Sequence, residues 1–478
     1  MLQRKTDNLG YLWAALCSII LGVIVAIFPY WFVLAILVLP IFISIAWIRP
    51  EYGIVLVVAI AAGLINDAFL PKFSFLGGNI EAGDMVFFMM IVIIAIRKNG
   101  AGGNWFDGFK PFVLPLLLLF LLTLVAIVRA KIVFNTPNKE VLGEARHFIY
   151  WLLIPMTIMV LDSDKKIKRF VSALLVIGLL FAVGGILQTV FGVAILGKSV
   201  VREASTLDFN YAGVVRSQNA GINLTLFALY LLLGRYLLKL QSLISSIPWI
   251  LLAMLAILGS FGRGIWITTI LSGLILFLSL GLSRAPRLLA VLLLTSIIGL
   301  GMVSIYKPAM IVALKDRALS AGEEAQHGSS LNWRFYENRM VAIKLEEHPI
   351  LGIGLGTPYR PPAKSDATPE QVRYVHNGYL YMFLKLGLVA AFPLLWLIMA
   401  FFHSARRLWK IKLKAEYRVA VVATIALFTQ LLILSLTQPE FIMSQSGIGV
   451  TALMMGIVGA HLSTSISENS TLKINESN

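Results

Sequence analysis

Charge is what this chain of 478 residues has little of. Asp, Glu, Lys and Arg make up 13% of it, against about a quarter in soluble domains. With 58% hydrophobic residues and a mean hydropathy of +0.85, this excludes a water-soluble protein and any sizeable catalytic domain outside a membrane. Cysteine is nearly absent: Cys17 is the only one, so neither a disulfide framework nor a thiol-rich metal site can form. The six histidines lack ligand spacing. There is no phosphate-binding P-loop, no Gly-x-Ser-x-Gly elbow and no His-Glu-x-x-His. Gly352 to Gly356 mimics part of a dinucleotide loop, without the strand before it or the helix after it. No nucleic-acid-binding signature is present, so no nucleic-acid partner is expected. Acidic residues are scarce within the apolar runs, Asp67 being the main exception. Coupled carriers usually keep ionisable groups near the midplane, so this scarcity speaks against one.

What is there is a series of about fourteen apolar runs, each long enough to approach the thickness of a bilayer. They fall near 11–28, 30–48, 52–70, 84–97, 109–128, 147–162, 170–191, 221–238, 246–261, 264–282, 287–305, 376–400, 419–437 and 446–463. The expected fold is an all-α polytopic membrane protein of about 12–14 transmembrane helices, with one long outer loop. The expected division is 1–204 for N-terminal spans, 205–305 for a core with an arginine motif, 306–375 for the loop, 376–463 for the last spans and 464–478 for a cytoplasmic tail. The short, basic N-terminus carries Arg4 and Lys5 and no small-residue cleavage site follows it, so the first run reads as a retained span.

Positive charge sets the orientation. With the N-terminus inside, the inner loops hold Arg49, Arg97, Lys98, Lys110, Lys165, Lys166, Lys168, Arg169, Arg235, Lys239, Arg284, Arg287 and the run from Arg406 to Arg418. The loop 306–375 then lies outside. The net charge of +16 suits anionic lipid, yet the outer side also holds about eighteen Lys and Arg. Either long loops escape the usual bias, or the outer face binds an anion.

Within the long loop, Leu331 to Glu347 reads as a helix. Trp333, Tyr336, Met340 and Ile343 form an apolar stripe beside Arg334, Asn338 and Leu345, as in an amphipathic helix on the outer membrane surface. Pro349 stops it. Gly352, Gly354 and Gly356 read as a flexible turn, and 357–374 as an irregular, Pro-rich candidate lid.

Candidate site residues gather on the same side. Arg263 sits between two apolar runs joined by almost no loop, flanked by Gly262 and Gly264. It either snorkels at a hairpin turn or meets an anion where dehydration is costly. Arg216, Arg334 and Arg339 are also outside, and guanidinium suits phosphate through fixed charge and a planar fork. Each alone could equally contact a lipid headgroup. His376 opens the run after the loop, where a helix N-terminus and nearby arginines would keep it neutral and able to accept a proton. Taken alone it could instead be an interfacial cap.

Together these residues resemble the bacterial O-antigen ligase and O-antigen polymerase superfamily, over roughly 205–390. Arg263-Gly-Ile-Trp-Ile267 is similar to the ligase pattern of Arg, three residues and Leu, with Ile for Leu. His376, ten residues and Gly387 match the family's His-x10-Gly. Arg334-Phe-Tyr-Glu-Asn, then His348-Pro-Ile-Leu-Gly-Ile-Gly-Leu-Gly356 and Val-His-Asn-Gly-Tyr-Leu, resemble its outer-loop signature. The resemblance implies a multi-span glycosyltransferase in the bacterial inner membrane, its site facing the periplasm and needing no cofactor or metal. The donor would be a glycan on undecaprenyl diphosphate, the acceptor lipid A-core (ligase) or a second lipid-linked glycan (polymerase). By the same resemblance Arg263 and Arg334 hold the diphosphate, Arg216 fits a looser position, and His376 is the catalytic residue. Arg339, Asn377 and Tyr379 are further possible contacts. The ligase-like Arg and His patterns favour a ligase slightly. Two readings from other classes compete: a membrane transporter, for example of inorganic carbon, and a non-catalytic scaffold in a glycan export system.

Overall fold

The computed structural model describes residues 30–70, 72–75, 78–98, 105–205, 210–319, 329–363, 372–411, 413–439 and 444–477. The first apolar run with Cys17, and residues 364–371 of the lid candidate, lie outside them. The protein is an all-α polytopic membrane protein. The helices are α1 (Tyr30–Ile48), α2 (Pro50–Ala61), α3 (Ala82–Lys98), α4 (Trp105–Ile132), α5 (Asn138–Phe148), α6 (Leu153–Val160), α7 (Asp164–Phe191), α8 (Ile222–Leu237), α9 (Leu243–Gly259), α10 (Arg263–Leu280), α11 (Ala285–Tyr306), α12 (Pro308–Leu319), α13 (Ser329–Glu347), α14 (Gly378–Leu386), α15 (Ala391–Trp409), α16 (Ala415–Leu434) and α17 (Gln445–Ser477). Two antiparallel hairpins interrupt them: β1 (Lys72–Phe75) with β2 (Gly78–Glu81), and β3 (Ser199–Ser205) with β4 (Asn210–Asn219).

Among the described residues seven helices are long and apolar enough to cross a membrane, and four shorter apolar helices accompany them. The count falls below the number of apolar runs because several runs break. Pro155 lacks the N–H that would bond to Trp151, and a 3-10 turn, Ile149–Leu152, separates α5 from α6. The run 376–400 is cut at Gly387 (φ +86), where α14 ends after nine residues. A 3-10 turn at Leu388–Ala390 then leads into α15.

Gly387 also carries a close approach. A Cβ there would collide with the carbonyl of Ile350, while Leu388 N donates to Pro349 O at 2.9 Å. Gly387→Ala is expected to cost about 1–3 kcal/mol from a backbone region that essentially only glycine adopts, and more from the collision. The check is the temperature at which detergent-purified protein loses monodispersity; no shift from wild type would contradict it.

α17 is the central helix, 94% of its apolar window being buried, whereas α11 is peripheral at 17%. On α11 only Val291, Thr295 and Gly299 are buried, a single i, i+4 stripe, and Leu289, Leu293 and Ile297 are exposed to lipid. Polar glue crosses the bundle. Gln430 on α16 accepts from Tyr230 Oη at 2.5 Å and donates to Thr268 and Thr269 on α10. Acidic residues are scarce within the apolar runs, but charge is buried near their ends and in the connecting segments. Glu51, Asp84, Glu144, Glu337 and Lys385 are all buried. At the end bearing the hairpins, Arg146 and Lys198 bind Glu81, and Gln445 donates to Asp84 at 2.8 Å. Burial alone would raise the Glu81 carboxyl, but Lys198 and Arg146 outweigh it and hold it down at about 2.

Besides the main core there is a second, small one. Ala204 and Val214 of the β3–β4 hairpin, Phe261 in the turn before α10, and Met310 and Ala313 of α12 bury one another.

Candidate active site

Three segments distant in sequence converge at the end of the bundle that carries the hairpins. α10 starts at Arg263, after a turn in which Phe261 has φ +51. A Cβ at Gly264 would sit 3.4 Å from Leu434 and 3.5 Å from Thr437, so α10 begins hard against the end of α16. α14 starts on the same surface: Gly378 N donates to Ser435 O at 2.8 Å, and Tyr379 Oη donates to Leu432 O at 2.8 Å. The residue after Arg263 and the second residue after His376 therefore border the same few residues at the end of α16.

α13 supplies the third segment. Its inward face is Trp333, Glu337 and Val341, spaced by four. Tyr336 and Ile343, of the stripe expected to meet the membrane surface, are exposed on another face, as a lipid-facing stripe would be. A carboxylate occupies the middle of the face turned to the protein. Glu337 is 1% exposed. Its Oε1 accepts from Trp333 Nε1 at 2.9 Å, and its Oε2 lies 2.7 Å from His376 Nδ1 and accepts from His376 N at 3.3 Å. A carboxylate can only accept here, so Nδ1 carries a proton, and in the neutral ring the lone pair is then on Nε2. The Tyr374 ring stands edge-on to the imidazole, centroids 4.8 Å apart. His376 thus faces a carboxylate, rather than only the helix N-terminus and arginines expected from sequence.

The cations are placed by different means. Arg334 lies one turn before Glu337 on the same face, and its Nε is buried without a hydrogen-bond partner among the described residues. Arg216 on β4 donates from Nε to Ser260 O at 3.2 Å, just before Arg263. Arg339 is exposed and about 200° around α13 from Glu337, so it is not brought to the site. Asn377 caps α14, accepting from Tyr379 N at 3.0 Å and Leu380 N at 3.1 Å. Asn377 and Tyr379 shape the entry to α14 rather than offering these groups to a ligand.

Sequence reasoning missed Glu337 and Arg360. Arg360 is buried, its guanidinium 4.8 Å from the Trp333 ring centroid. Beside it, burial and then the Glu337 charge push the Tyr359 phenol up, so it stays protonated and donates to Tyr374 O at 3.0 Å. A signal for Glu337 was available: a lone acid four residues from a Trp and four from a Val on one helical face.

The segment expected to be a flexible turn is fixed. Gly352, Gly354 and Gly356 have φ of +61, +83 and +74, and a Cβ on each would meet backbone of α14, α4 and α5 respectively. Ile353 N and Gly354 N donate to the last carbonyls of α14, Leu384 at 2.8 Å and Lys385 at 3.0 Å. Arg129 donates to Gly352 O at 2.7 Å. Gly356 N donates to Glu144 at 2.7 Å, and Lys385, fully buried, lies 3.4 Å from Glu144 and donates to Thr357 O at 2.6 Å. Arg373 pairs with Glu140. The described parts of 357–374 are thereby tied to α5 and α14.

A family model described as O-antigen ligase matches residues 248–395. The matched stretch contains Arg263, Arg334, Glu337 and His376. None of the curated proteins matches the chain. The family match supports the O-antigen ligase and polymerase superfamily, whose members are glycosyltransferases of the ligase or polymerase type.

Proposed function

We propose that this chain, which carries an O-antigen ligase domain over residues 248–395, moves a glycan from undecaprenyl diphosphate to an acceptor hydroxyl at the periplasmic face of the bacterial inner membrane. The observation that carries the reading is the 2.7 Å contact between His376 Nδ1 and the buried Glu337 carboxylate. It fixes the ring, leaves Nε2 to take the acceptor proton, and compensates the positive charge that develops as it does so. The acceptor oxygen then bonds to the anomeric carbon as the bond from that carbon to the diphosphate breaks on the opposite side, inverting the centre. The leaving lipid diphosphate gains the negative charge. Arg263, Arg216 and Arg334 hold it, at a site where screening by water is weak. The unmet buried Nε of Arg334 supports this role, since such a group in a native fold calls for a partner. Sidedness rests on charge: Arg49, Lys165, Lys166, Lys168 and Arg169 sit at the opposite end from the site.

The test is reconstitution in proteoliposomes with a lipid-diphosphate glycan donor and two acceptors offered separately, lipid-linked glycan and a lipid A-core preparation. Wild type is expected to transfer to one of them, which separates polymerase from ligase. Arg263→Ala is expected to lower the rate by about 10²–10³-fold, the usual effect of removing a donor aimed at developing negative charge. Folded wild type that transfers to neither acceptor, or Arg263→Ala protein as active as wild type, would overturn the reading.

A further inference from the structure

Tyr359 and Arg360 are both buried, although they stand in the irregular stretch that follows the fixed glycine turn. Their backbone hangs from a firm base: Thr357 O accepts from the buried Lys385 ammonium, and Thr357 Oγ1 lies 2.8 Å from Thr136 Oγ1. From there the two side chains part toward the two halves of the His376–Glu337 pair. Tyr359 serves the imidazole. Its N donates to Val372 O at 3.2 Å and its Oη to Tyr374 O at 3.0 Å. This ties down the segment whose Tyr374 ring stands against His376. Arg360 serves the carboxylate. Its Nη1 donates to Pro361 O at 3.2 Å, and its guanidinium lies over the Trp333 ring, 4.8 Å from the centroid. Trp333 Nε1 in turn donates to Glu337 Oε1 at 2.9 Å. The Trp333 ring also meets the Tyr336 ring, centroids 5.2 Å apart, but Tyr336 is exposed whereas Arg360 is dry. A cation over an aromatic face holds it more strongly when desolvated.

We propose that Arg360 is a positioning residue for proton transfer, acting on Glu337 through Trp333. The proposal deepens the reading of His376 and Glu337 as the proton-accepting pair, and rests on it. A carboxylate has two oxygens that exchange partners when its last bond turns. With Oε1 held by the indole N–H, Oε2 stays on His376 Nδ1, and the neutral ring keeps its lone pair on Nε2. Without the cation the indole is free to tilt and Oε1 loses its donor, so the carboxylate turns and the tautomer is no longer fixed. Arg360 acts at one remove from the reacting atoms. Its loss should therefore slow the chemical step and leave donor binding alone.

The experiment combines two measurements on the full-length protein. One is kcat and KM for glycan transfer in proteoliposomes. The other is the heteronuclear NMR spectrum of the histidine rings in detergent, with His376→Ala identifying the His376 signals. Arg360→Met is expected to lower kcat about tenfold, the scale of one desolvated cation–π contact, with KM for the donor little changed. It should also replace the single Nδ1–H tautomer of the neutral ring by a mixture. Arg360→Lys keeps a cation and is expected to recover most of both. Trp333→Phe keeps a ring for Arg360 but loses the N–H, and should match Arg360→Met; it decides where Arg360→Met does not stay monodisperse. In a His376→Ala background Arg360→Met should cost nothing further, whereas a residue that only supports the fold would lower the remaining rate again. Wild-type kcat and an unmixed tautomer in Arg360→Met or Trp333→Phe, with the rate lost in Glu337→Gln, would overturn the role of Arg360 and leave the pair's role intact. A wild-type His376 with its proton on Nε2, or full rate in His376→Ala, would overturn both.

Discussion

Replacing His376 with alanine is expected to lower glycan transfer by about 10²–10⁴-fold, the span typical of losing a general base, without loss of the folded protein. His376 is partly exposed and lies ahead of α14 rather than within it, so truncating its ring removes little packing. Glu337→Gln is the sharper test of mechanism. It keeps the size of the side chain but can donate to Nδ1, which turns the ring to the tautomer with a proton on Nε2. The expected result is a fall in kcat approaching that of His376→Ala, with little change in KM and an altered pH profile. Glu337→Asp retains the charge and is expected to recover part of the rate. If Glu337→Gln instead changes only thermal stability, Glu337 is a packing residue and the pair has no part in proton transfer.

Lys385→Met is expected to destabilise the protein by about 3–5 kcal/mol, the range for leaving a buried charge without its partner. Lys385 is fully buried between Glu144 and the Thr357 carbonyl. Removing its ammonium strands a carboxylate that also receives Gly356 N. The double variant Lys385→Met with Glu144→Gln keeps an oxygen for Gly356 N but no charge, and is expected to recover most of the loss. Thermal unfolding of the two single variants and the double gives the coupling directly. Additive losses would mean that the two groups do not depend on each other.

The apolar runs were legible because a bilayer demands length and hydropathy, and runs from 30 onward correspond to helices. Where they break was harder to read. Gly387 looks like any glycine in an apolar run, and its positive φ follows from the Ile350 backbone lying against it, a contact between segments 37 residues apart in sequence. The same holds for Gly352, Gly354 and Gly356, where glycine content suggested flexibility and tertiary contact produces rigidity. At the site, Arg263, Arg216 and His376 were marked by unusual polarity beside apolar runs. Glu337 was missed because a soluble-looking loop supplies many plausible exposed acids, and only packing reveals which one is dry. Arg339 was included for its nearness in sequence to Arg334, and helical geometry turns it away.

The second small core has a thermodynamic consequence. Cooperative units that share few contacts open with their own free energies. The patch built from Ala204, Val214, Phe261, Met310 and Ala313 is separate from the main core; the hairpin is also anchored to α7 through Gln188 and Ser217, so α12 alone is expected to detach and reseat while the bundle and hairpin stay intact. A melting curve reports the bundle and is blind to that equilibrium. Amide exchange in α12 is the observable that sees it, and that exchange should be faster than in the bundle even when the melting temperature does not move.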